Sequence, residues 1–337
     1  MEAPEKEYFV HESGYLDESE KTRIWITSIG GLVGTYLTSY FSQSGKYYLV
    51  GSDASDYIAL RGKLDAFYKT PLNSDPAYLE IIKKIIRDEN IDVVIPISSH
   101  DMDLFTLDEI KDLVSPAKML VMDEKMHQTL HDKQSSKKYL ESLGIQTPQL
   151  YQNGFFTYPC VMKPNRSSGS KNIILLENES DYLYWKMKLE NFSVFEYLPG
   201  KEYTVDCIFD NHGCCVGYNA RERVKMNGGG AVISTCVYDE QLPNVIRKLE
   251  KSQRIKGPVN FQYKKIDGSI VVFDFNTRLA SGGLPLSVKA GFPIPDWIID
   301  LALGKHVGKW NLDPKDIGLT MIRYYQENYI NMRRKID

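Results

Sequence analysis

Hydrophobic and polar positions follow two different periods along the first third of the chain. Three apolar runs have the length of buried strands and lie at residues 24–28, 47–50 and 93–97. Residues 35–44 and 77–88 instead carry apolar side chains at helical spacing. Strands that alternate with helices predict right-handed crossovers and a parallel sheet. We therefore expect an α/β, doubly wound parallel-sheet domain over residues 23–115, preceded by a loosely ordered leader at residues 1–22.

The pattern changes after about residue 115, where strands begin to dominate. A helix is expected over 133–143, closed by Gly144 as a C-terminal cap. Strands are predicted at 160–163, 173–176, 194–197, 203–209, 214–220, 259–265 and 270–276. Helices are predicted at 180–189, 241–254 and 294–303. This is an α+β pattern, so the chain has two architectures in series, and residues 311–337 are expected to form a C-terminal tail.

Composition and charge exclude several classes of protein. The chain has 337 residues, of which 42% are hydrophobic and 25% charged, with 41 Lys and Arg against 44 Asp and Glu. A net charge of −3 gives no general basic surface for nucleic acid. No apolar run reaches the roughly 18 residues of a membrane-spanning helix. The acidic N-terminus lacks the apolar segment of a secretory signal, and five cysteines without a C-x-x-C pair fit a reducing compartment. We expect a cytoplasmic protein with no nucleic-acid or membrane partner.

A glycine-rich stretch after the first strand raises the possibility of dinucleotide binding. Such loops need glycines where a strand turns into a helix, so that backbone N–H groups face a pyrophosphate. The G-x-G-x-x-G spacing of such loops falls on Ile29, Gly31 and Gly34, so the first glycine of the motif is missing. Asp53 nevertheless lies where a ribose-binding acid would be. An NAD-dependent oxidoreductase is therefore a rival hypothesis. The alternative is that Gly30, Gly31 and Gly34 only allow close packing of helix and sheet.

The last predicted hairpin carries the strongest chemical pattern. Alternate side chains of a strand share a face, so Asp274, Asn276 and Arg278 should project to one side, and Phe273 and Phe275 to the other. A carboxylate and an amide oxygen beside a guanidinium suit Mg²⁺ bound to phosphates. Gln262, on the partner strand, is expected to join this face. A solvated polar face of the sheet is the alternative for this segment alone.

Two further segments suit a nucleotide. Lys163 ends an apolar strand and precedes a loop rich in serine and glycine, and lysine is a point-charge binder of phosphate. Glu196 and Glu202 flank a Pro199-Gly200 turn between two strands, where backbone groups could meet an adenine edge and a carboxylate could meet a ribose. Taken alone, the first segment has an ordinary hairpin loop as its alternative, and the second has two exposed glutamates flanking a turn.

These segments together resemble the ATP-grasp superfamily, and most closely its branch similar to the large chain of carbamoyl phosphate synthase. The shared motifs are D-K…G-I-x-T-P from Asp132, V-x-K-P-x-x-x-S-G-S from Val161, E-x-x-x-G-x-E from Glu196, and Q…D-G…[DE]-x-N-x-R from Gln262. Each motif is poorly specific, whereas their order is strongly specific and spans roughly residues 23–305. The resemblance implies a pre-ATP-grasp domain over 23–115 and the two α+β lobes of an ATP-grasp domain over 116–310, with the smaller lobe at about 155–200.

The resemblance also implies roles for individual residues. Lys133 and Lys163 should hold the α- and β-phosphates of ATP, and Ser167, Ser168, Gly169 and Ser170 should form a mobile phosphate loop. The other nucleotide contacts implied are Glu196, Tyr197 and Leu198 at adenine, Glu202 at ribose, and Gln262. Asp274 and Asn276 should bind Mg²⁺, with Mn²⁺ as an alternative ion. Asp274 stands where glutamate is often found, which leaves one or two metal ions open.

The acceptor side is expected to bind a carboxylate. Planar guanidinium groups suit bidentate carboxylate recognition, so Arg221 and Arg223 are candidate contacts, together with Ser281 and Gly282. The resemblance adds Asp101 in the first domain. Arg278 should lie at the transferring phosphate or the acceptor carboxylate, and Arg278, Lys163 and Arg223 are the candidate catalytic residues. For Arg221 and Arg223 the alternative is a solvated strand face paired with neighbouring acids.

The activity implied is that of an ATP-dependent ligase that joins a small-molecule carboxylate to an amine through an acyl phosphate. Three alternatives stay open at this point. They are an ATP-grasp kinase that stops at a phosphorylated carboxylate, carbamate or amide, an ATP sensor without turnover, and the oxidoreductase. A homodimer is also left open, and neither the carboxylate nor the amine can be named from the sequence.

Overall fold

The computed structural model describes residues 6–8, 20–152, 154–166 and 172–329. Described residues through Met119, together with 323–329, form one unit, and Leu120–Ile322 form a second. Residues 311–322, assigned to a tail from the sequence, belong to the second unit because a short strand at 320–322 pairs with its sheet. The functional labels given to the four predicted segments stay predictions.

The first unit is built on the expected parallel sheet. Its elements are β1 (Lys6–Tyr8), β2 (Thr22–Ile26), α1 (Leu32–Ser42), β3 (Tyr47–Asp53), β4 (Ala66–Lys69), α2 (Ala77–Glu89), β5 (Val93–Ile95), α3 (Ser99–Phe105) and α4 (Asp108–Val114). The sheet order is β1-β4-β3-β2-β5, in which β2 to β5 are parallel and β1 is an antiparallel edge strand. Strand β4 was missed in the sequence because four residues are too few to show a period.

The glycine loop between β2 and α1 packs against its own backbone. A Cβ added at Gly34 would lie 2.4 Å from the Ile29 carbonyl oxygen, whereas one at Gly31 would meet nothing within 4 Å. The Gly30 amide donates a 2.8 Å hydrogen bond to the Asp53 carboxylate. The acid that was a candidate for a ribose therefore closes the loop instead. This arrangement favours the packing interpretation of the glycines over dinucleotide binding.

The second unit contains two antiparallel sheets. Its elements are α5 (Glu124–His131), α6 (Lys133–Ser142), β6 (Leu150–Tyr151), β7 (Cys160–Pro164), β8 (Ile174–Leu176), α7 (Glu179–Lys186), β9 (Phe192–Glu196), β10 (Glu202–Phe209), β11 (Cys215–Asn227), β12 (Gly230–Val237), α8 (Leu242–Glu250), β13 (Gly257–Ile266), β14 (Ser269–Asn276), α9 (Leu284–Lys289), α10 (Ile294–Ala302) and β15 (Thr320–Ile322). The four-stranded sheet has the order β6-β9-β7-β8, and the six-stranded sheet has the order β14-β13-β10-β11-β12-β15. An α/β unit followed by α+β sheets confirms the predicted fold class.

One face of the six-stranded sheet is a hydrophobic core. Alternate residues of β10, β13 and β14, such as Val205, Phe261 and Phe275, pack with apolar residues of α5, α6 and α8. The Phe261 and Phe275 rings stack with centroids 6.0 Å apart. Because successive side chains of a strand point to opposite faces, burial of this set leaves the intervening polar residues on the other face.

The longest strand, β11, extends well beyond the predicted residues 214–220. Its second half is charged and carries Arg221, Glu222, Arg223 and Lys225, so its apolar signal is weak. Gly228 and Gly229 adopt positive φ and reverse the chain into β12, a strand that the sequence did not predict. No helix among the described residues has both the length and the apolar character needed to cross a membrane.

The glycine loop gives a direct test of its packing role. Gly34→Ala should lower the free energy of unfolding by about 2 kcal/mol or more, because the new methyl group meets backbone that cannot move aside. Gly31→Ala is the matched control and should cost about 1 kcal/mol or less, as expected for a helix N-cap. Urea unfolding of both variants measures the difference, and equal costs would contradict this account of the loop.

Candidate functional site

Two rows of polar side chains cross four strands on the second face of the six-stranded sheet. The register of the strands gives the first row as Asp274, Gln262, Thr204 and Arg221. The second row is Asn276, Asn260, Asp206 and Asn219. Members of a row are opposite one another, and the rows are two residues apart along each strand, so all eight side chains share one face.

The carboxylate and amide predicted to bind a metal are adjacent on β14. The Asn276 amide nitrogen donates to Asp274 Oδ2 at 2.8 Å and to Asn260 Oδ1 at 3.3 Å. These two bonds use the nitrogen and leave the Asn276 Oδ1 oxygen for other partners. Burial raises the pKa of Asp274, but the Lys133 and Lys163 ammonium groups and the Asn276 amide outweigh burial and hold this pKa at about 2. The site therefore contains a permanently ionised carboxylate.

Lys133 and Lys163 approach this carboxylate from two different elements. Lys133 is the first residue of α6, capped by Asp132, and its ammonium group forms an ion pair with Asp274. Lys163, near the end of β7, is 8% exposed and lies 5.3 and 5.2 Å from the Phe195 and Phe273 ring centroids. Burial lowers the pKa of Lys163 to about 8, with Lys133 and Lys264 adding to the decrease and Asp274 and Glu202 opposing it.

The orientation of Phe273 differs from the strand alternation expected from the sequence. The register of β13 and β14 shifts between Gln262 and Tyr263, so that Tyr263 pairs with Val272 and Phe273 is an extra residue. Phe275 lies in the hydrophobic core, as expected, whereas Phe273 lies beside Lys163. A β-bulge of this kind re-aims one side chain, and it cannot be read from a two-residue period.

The predicted adenine and ribose contacts lie where β9 leads into β10. Leu198 is buried, and its carbonyl oxygen accepts a 2.8 Å hydrogen bond from Lys264 of β13. Glu196 accepts a 3.1 Å hydrogen bond from the Gln149 amide, and Tyr197 is 38% exposed. A cavity of about 560 Å³ adjoins this segment and is lined by Thr147, Glu196, Leu198 and Val271, among others.

The arginines of β11 are buried rather than solvated. Arg221 forms a bidentate ion pair with Asp206, in which Nε donates to Oδ2 at 3.0 Å and Nη2 donates to Oδ1 at 3.4 Å. Arg223 forms an ion pair with Glu202 and donates a 2.6 Å hydrogen bond to the Gly229 carbonyl in the β11–β12 turn. Both acids lie on β10, the strand that pairs with β11. Both arginines therefore have acidic partners, as one alternative supposed, but not on a solvated face.

A small polar pocket collects the predicted acceptor contacts. Its volume is about 40 Å³, and its lining includes Arg221, Arg223, Gln262, Asp274, Asn276, Arg278, Ser281 and Gly282. Arg278 follows β14, and its backbone carbonyl accepts a 2.8 Å hydrogen bond from the Asn260 amide. Burial lowers the pKa of Arg278, while Asp274 opposes this effect.

Asp101 and the predicted phosphate loop are the remaining candidate residues. Asp101 is 1% exposed in the first unit, where it accepts hydrogen bonds from Thr27, Ser28 and the Ser98 amide. Ser167, Ser168, Gly169 and Ser170 lie outside the described residues. The roles of both sets stay predictions.

The sequence missed residues of the polar face that belong to no motif. Asn260 fixes the Arg278 backbone, Asp206 pairs with Arg221, and Lys264 holds the Leu198 carbonyl. Alternation along β13 offers a signal for two of them, because Asn260 and Lys264 flank Gln262 at a spacing of two. Asp206 could be found only once the pairing of β10 with β11 was known.

Comparison with known proteins finds a matching family model and several sequence relatives. Residues 188–324 match the family model described as ATP-grasp in the biosynthetic pathway with Ter operon. The carbamoyl phosphate synthase large chain of Clostridium beijerinckii is 26% identical over 201 residues, which cover 51% of this chain and 18% of that protein. The 3-methyl-D-ornithine–L-lysine ligase of Methanosarcina acetivorans is 27% identical over 188 residues, covering 55% and 47% of the two chains. The chain thus spans less than half the length of either protein.

A solved structure extends the likeness over most of the fold. The biotin carboxylase domain of the 2-oxoglutarate carboxylase from Hydrogenobacter thermophilus, a dimer crystallised with MgADP, ADP and bicarbonate, superposes with a TM-score of 0.71. The two share 14% sequence identity, and the match covers 88% of this chain and 72% of the other. The likeness in fold agrees with the family match and with the sequence relatives. The chain is thus similar to ATP-grasp proteins, in sequence to an ATP-grasp family model over residues 188–324 and to the large chain of carbamoyl phosphate synthase, and in fold to a biotin carboxylase domain.

Proposed function

We propose that the protein is an ATP-dependent ligase that joins a carboxylate to an amine through an acyl phosphate. One observation carries this proposal. Two lysines, one from α6 and one from β7, approach an ionised carboxylate and an amide that line an arginine-rich pocket on one face of the six-stranded sheet. The lysines suit a polyphosphate, and the arginines suit the carboxylate that must lie next to it. Relatives that carry the name ligase support the same class of reaction.

The nucleotide is proposed to lie along Lys133, Lys163 and the segment joining β9 to β10. Lys133 and Lys163 would bind the α- and β-phosphates, and the two lysines come from different elements, α6 and β7. Glu196, Tyr197 and Leu198 would meet adenine. Glu202 would meet the ribose through Oε2, because Oε1 is paired with Arg223. Gln262 faces this site beside Asp274.

Asp274 and Asn276 fit the requirements of Mg²⁺, and Mn²⁺ would suit the same oxygens. The carboxylate is ionised at every physiological pH, and the Asn276 Oδ1 oxygen is not used in the bonds that orient the amide. Two protein oxygens are a usual number for Mg²⁺ when phosphates and water supply the other ligands. When bound, the ion would neutralise charge on the transferring phosphoryl group.

The chain's own contribution to the reaction is to position reactants and balance charge. A carboxylate held near Arg223 and Arg278 would attack the γ-phosphorus, forming an O–P bond as the bond to ADP breaks. An amine would then attack the acyl carbon, forming a C–N bond as phosphate leaves and the nitrogen loses a proton. Lys163 and Arg278 would stabilise the negative charge that develops on the phosphoryl oxygens, since fixed charges need no reorganisation during the reaction.

The kinase alternative shares every step up to the acyl phosphate. It differs only in releasing that product without attack by an amine. A non-catalytic ATP sensor could lose the metal ligands without losing its function, so the presence of Asp274 and Asn276 favours an enzyme. The number of arginines in the acceptor pocket exceeds what one phosphoryl group needs, and this favours a bound carboxylate, which ligase and kinase have in common.

Loss of the Asp274 charge should abolish turnover without unfolding the protein. We expect Asp274→Asn to reduce ADP formation by about 100-fold or more, because a metal carboxylate offsets phosphate charge. Calorimetry should also show that Mg²⁺ no longer strengthens nucleotide binding. Asp239→Asn is the matched control, since Asp239 is another buried, paired acid of the same unit. Equal nucleotide affinity with and without Mg²⁺ in the unmutated protein would contradict the metal assignment.

The lowered pKa of Lys163 predicts a pH dependence of nucleotide binding. Phosphate favours the protonated amine, so Mg-ATP affinity should fall as the pH rises through about 8, by up to about tenfold between pH 7 and pH 9. Binding at pH 8 should take up protons, measurable by calorimetry in buffers of different ionisation enthalpy. Lys163→Met should remove both effects. A pH-independent affinity in the unmutated protein would place Lys163 away from the phosphates.

A screen for ADP release distinguishes ligase from kinase. ADP release is measured with carboxylates, including amino acids, alone and together with amines, and the product masses are determined by mass spectrometry. We expect slow ADP release with the correct carboxylate alone and a several-fold increase with the correct amine. The product mass should equal that of the two substrates minus water. Hydroxylamine should convert the acyl phosphate to a hydroxamate.

Accumulation of a stable phosphorylated product, with ADP release unaffected by any amine, would favour the kinase. Mg-ATP binding without ADP release in any combination of carboxylate and amine would favour the sensor.

A further inference from the structure

Beneath Arg221 lies a chain of buried polar side chains that belongs to no predicted motif. Its members are Asp206 of β10, Asn219 and Arg221 of β11, and Ser287 of α9. Asp206, Asn219 and Ser287 are 5%, 0% and 0% exposed. Burial of so many polar groups is costly unless each is paired, and a buried ion pair is by itself weak support for stability. The chain therefore calls for an explanation beyond folding.

The hydrogen bonds of this chain run in one direction. The Asn219 amide donates to the Ser287 oxygen at 3.0 Å, and the Ser287 hydroxyl donates to Asp206 Oδ2 at 2.6 Å. A serine hydroxyl has one hydrogen, and here that hydrogen goes to Asp206. Arg221 then donates from Nε and Nη2 to the two oxygens of the same carboxylate. Each member thus fixes the next, and the chain ends at the guanidinium.

Gly283 fixes the guanidinium from a second side. A Cβ at this position would lie 1.8 Å from Arg221 Nε and 1.9 Å from its central carbon, Cζ. The guanidinium therefore lies directly against the backbone of Gly283, where only glycine leaves room. Gly283 immediately precedes α9 and Ser287 is inside it, so one short helix supplies both constraints.

Arg221 retains hydrogen-bonding capacity after these contacts. Its bonds to Asp206 and a 3.5 Å contact from Nη1 to Ser234 involve three of the five N–H groups that a guanidinium carries. The same side chain lines the acceptor pocket. We propose that Asp206, Ser287 and Gly283 are positioning residues that hold Arg221 with its remaining N–H groups toward the acceptor carboxylate. This inference rests on the proposed function, because it takes the pocket to be the carboxylate site.

Acetate serves as the probe of this pocket, and the Arg221 Nε–H resonance serves as the readout. Protein with ¹⁵N-labelled arginine and bound Mg-ADP is titrated with acetate, and Arg221→Lys assigns the resonance. We expect a saturable shift in the unmutated protein. Ser287→Ala keeps the ion pair but removes two hydrogen bonds, the one from Asn219 and the one to Asp206, and Gly283→Ala displaces the guanidinium. Each should weaken acetate binding about tenfold or more while the Mg-ADP affinity stays unchanged.

Matched controls separate positioning from a general loss of stability. Gly308→Ala adds a methyl group in open space, and Ser252→Ala removes a hydroxyl that bonds only to local backbone. Both should titrate like the unmutated protein. If Gly283→Ala fails to fold, Ser287→Ala alone decides the outcome.

Unchanged acetate affinity in the variants, or no acetate shift in unmutated protein that binds Mg-ADP, would overturn the positioning role and leave the ATP-dependent function intact. Absence of Mg-ADP binding in the unmutated protein would overturn the proposed function itself, and this inference with it.

Discussion

The alternation of side chains along the strands of the six-stranded sheet is the constraint on which the candidate site depends. One face is apolar where α5, α6 and α8 pack on it, and this constrains the register of β10, β13 and β14. The intervening residues then have to share the opposite face. A one-residue slip of β14 would move Asp274 and Asn276 into the core and Phe275 out of it. Core packing and site geometry are therefore set by the same register.

Charge balance is the second feature of this face. Lys133 is paired with Asp274, Arg223 with Glu202, and Arg221 with Asp206. Each acid is close enough to its cation to offset the cost of burying that cation. Such pairs keep cations ordered within a protein interior, so that they need little reorganisation to meet an anionic ligand.

The sequence predicted those parts of the structure that local patterns determine. The helix at 77–88 and the strand at 270–276 are recognisable from their periods, and Asp274 and Asn276 share a face, as two-residue spacing requires. The ordered motifs indicated the similarity to ATP-grasp proteins that the family model also finds over residues 188–324. Strand β12 and the charged half of β11 were missed because their stability comes from pairing and burial in the sheet rather than from an apolar run. The bulge at Phe273 and the pairing of Asp206 with Arg221 depend on contacts between distant segments, which no local pattern contains.

A crystal structure with Mn²⁺ and a non-hydrolysable ATP analogue tests the central claim most directly, because Mn²⁺ can be located by its anomalous scattering. The account predicts an anomalous peak about 2.0–2.3 Å from oxygens of Asp274 and Asn276, with the triphosphate in contact with Lys133 and Lys163. Nucleotide bound elsewhere, for example in the 560 Å³ cavity next to Glu196 with no contact to Asp274 or either lysine, would contradict it.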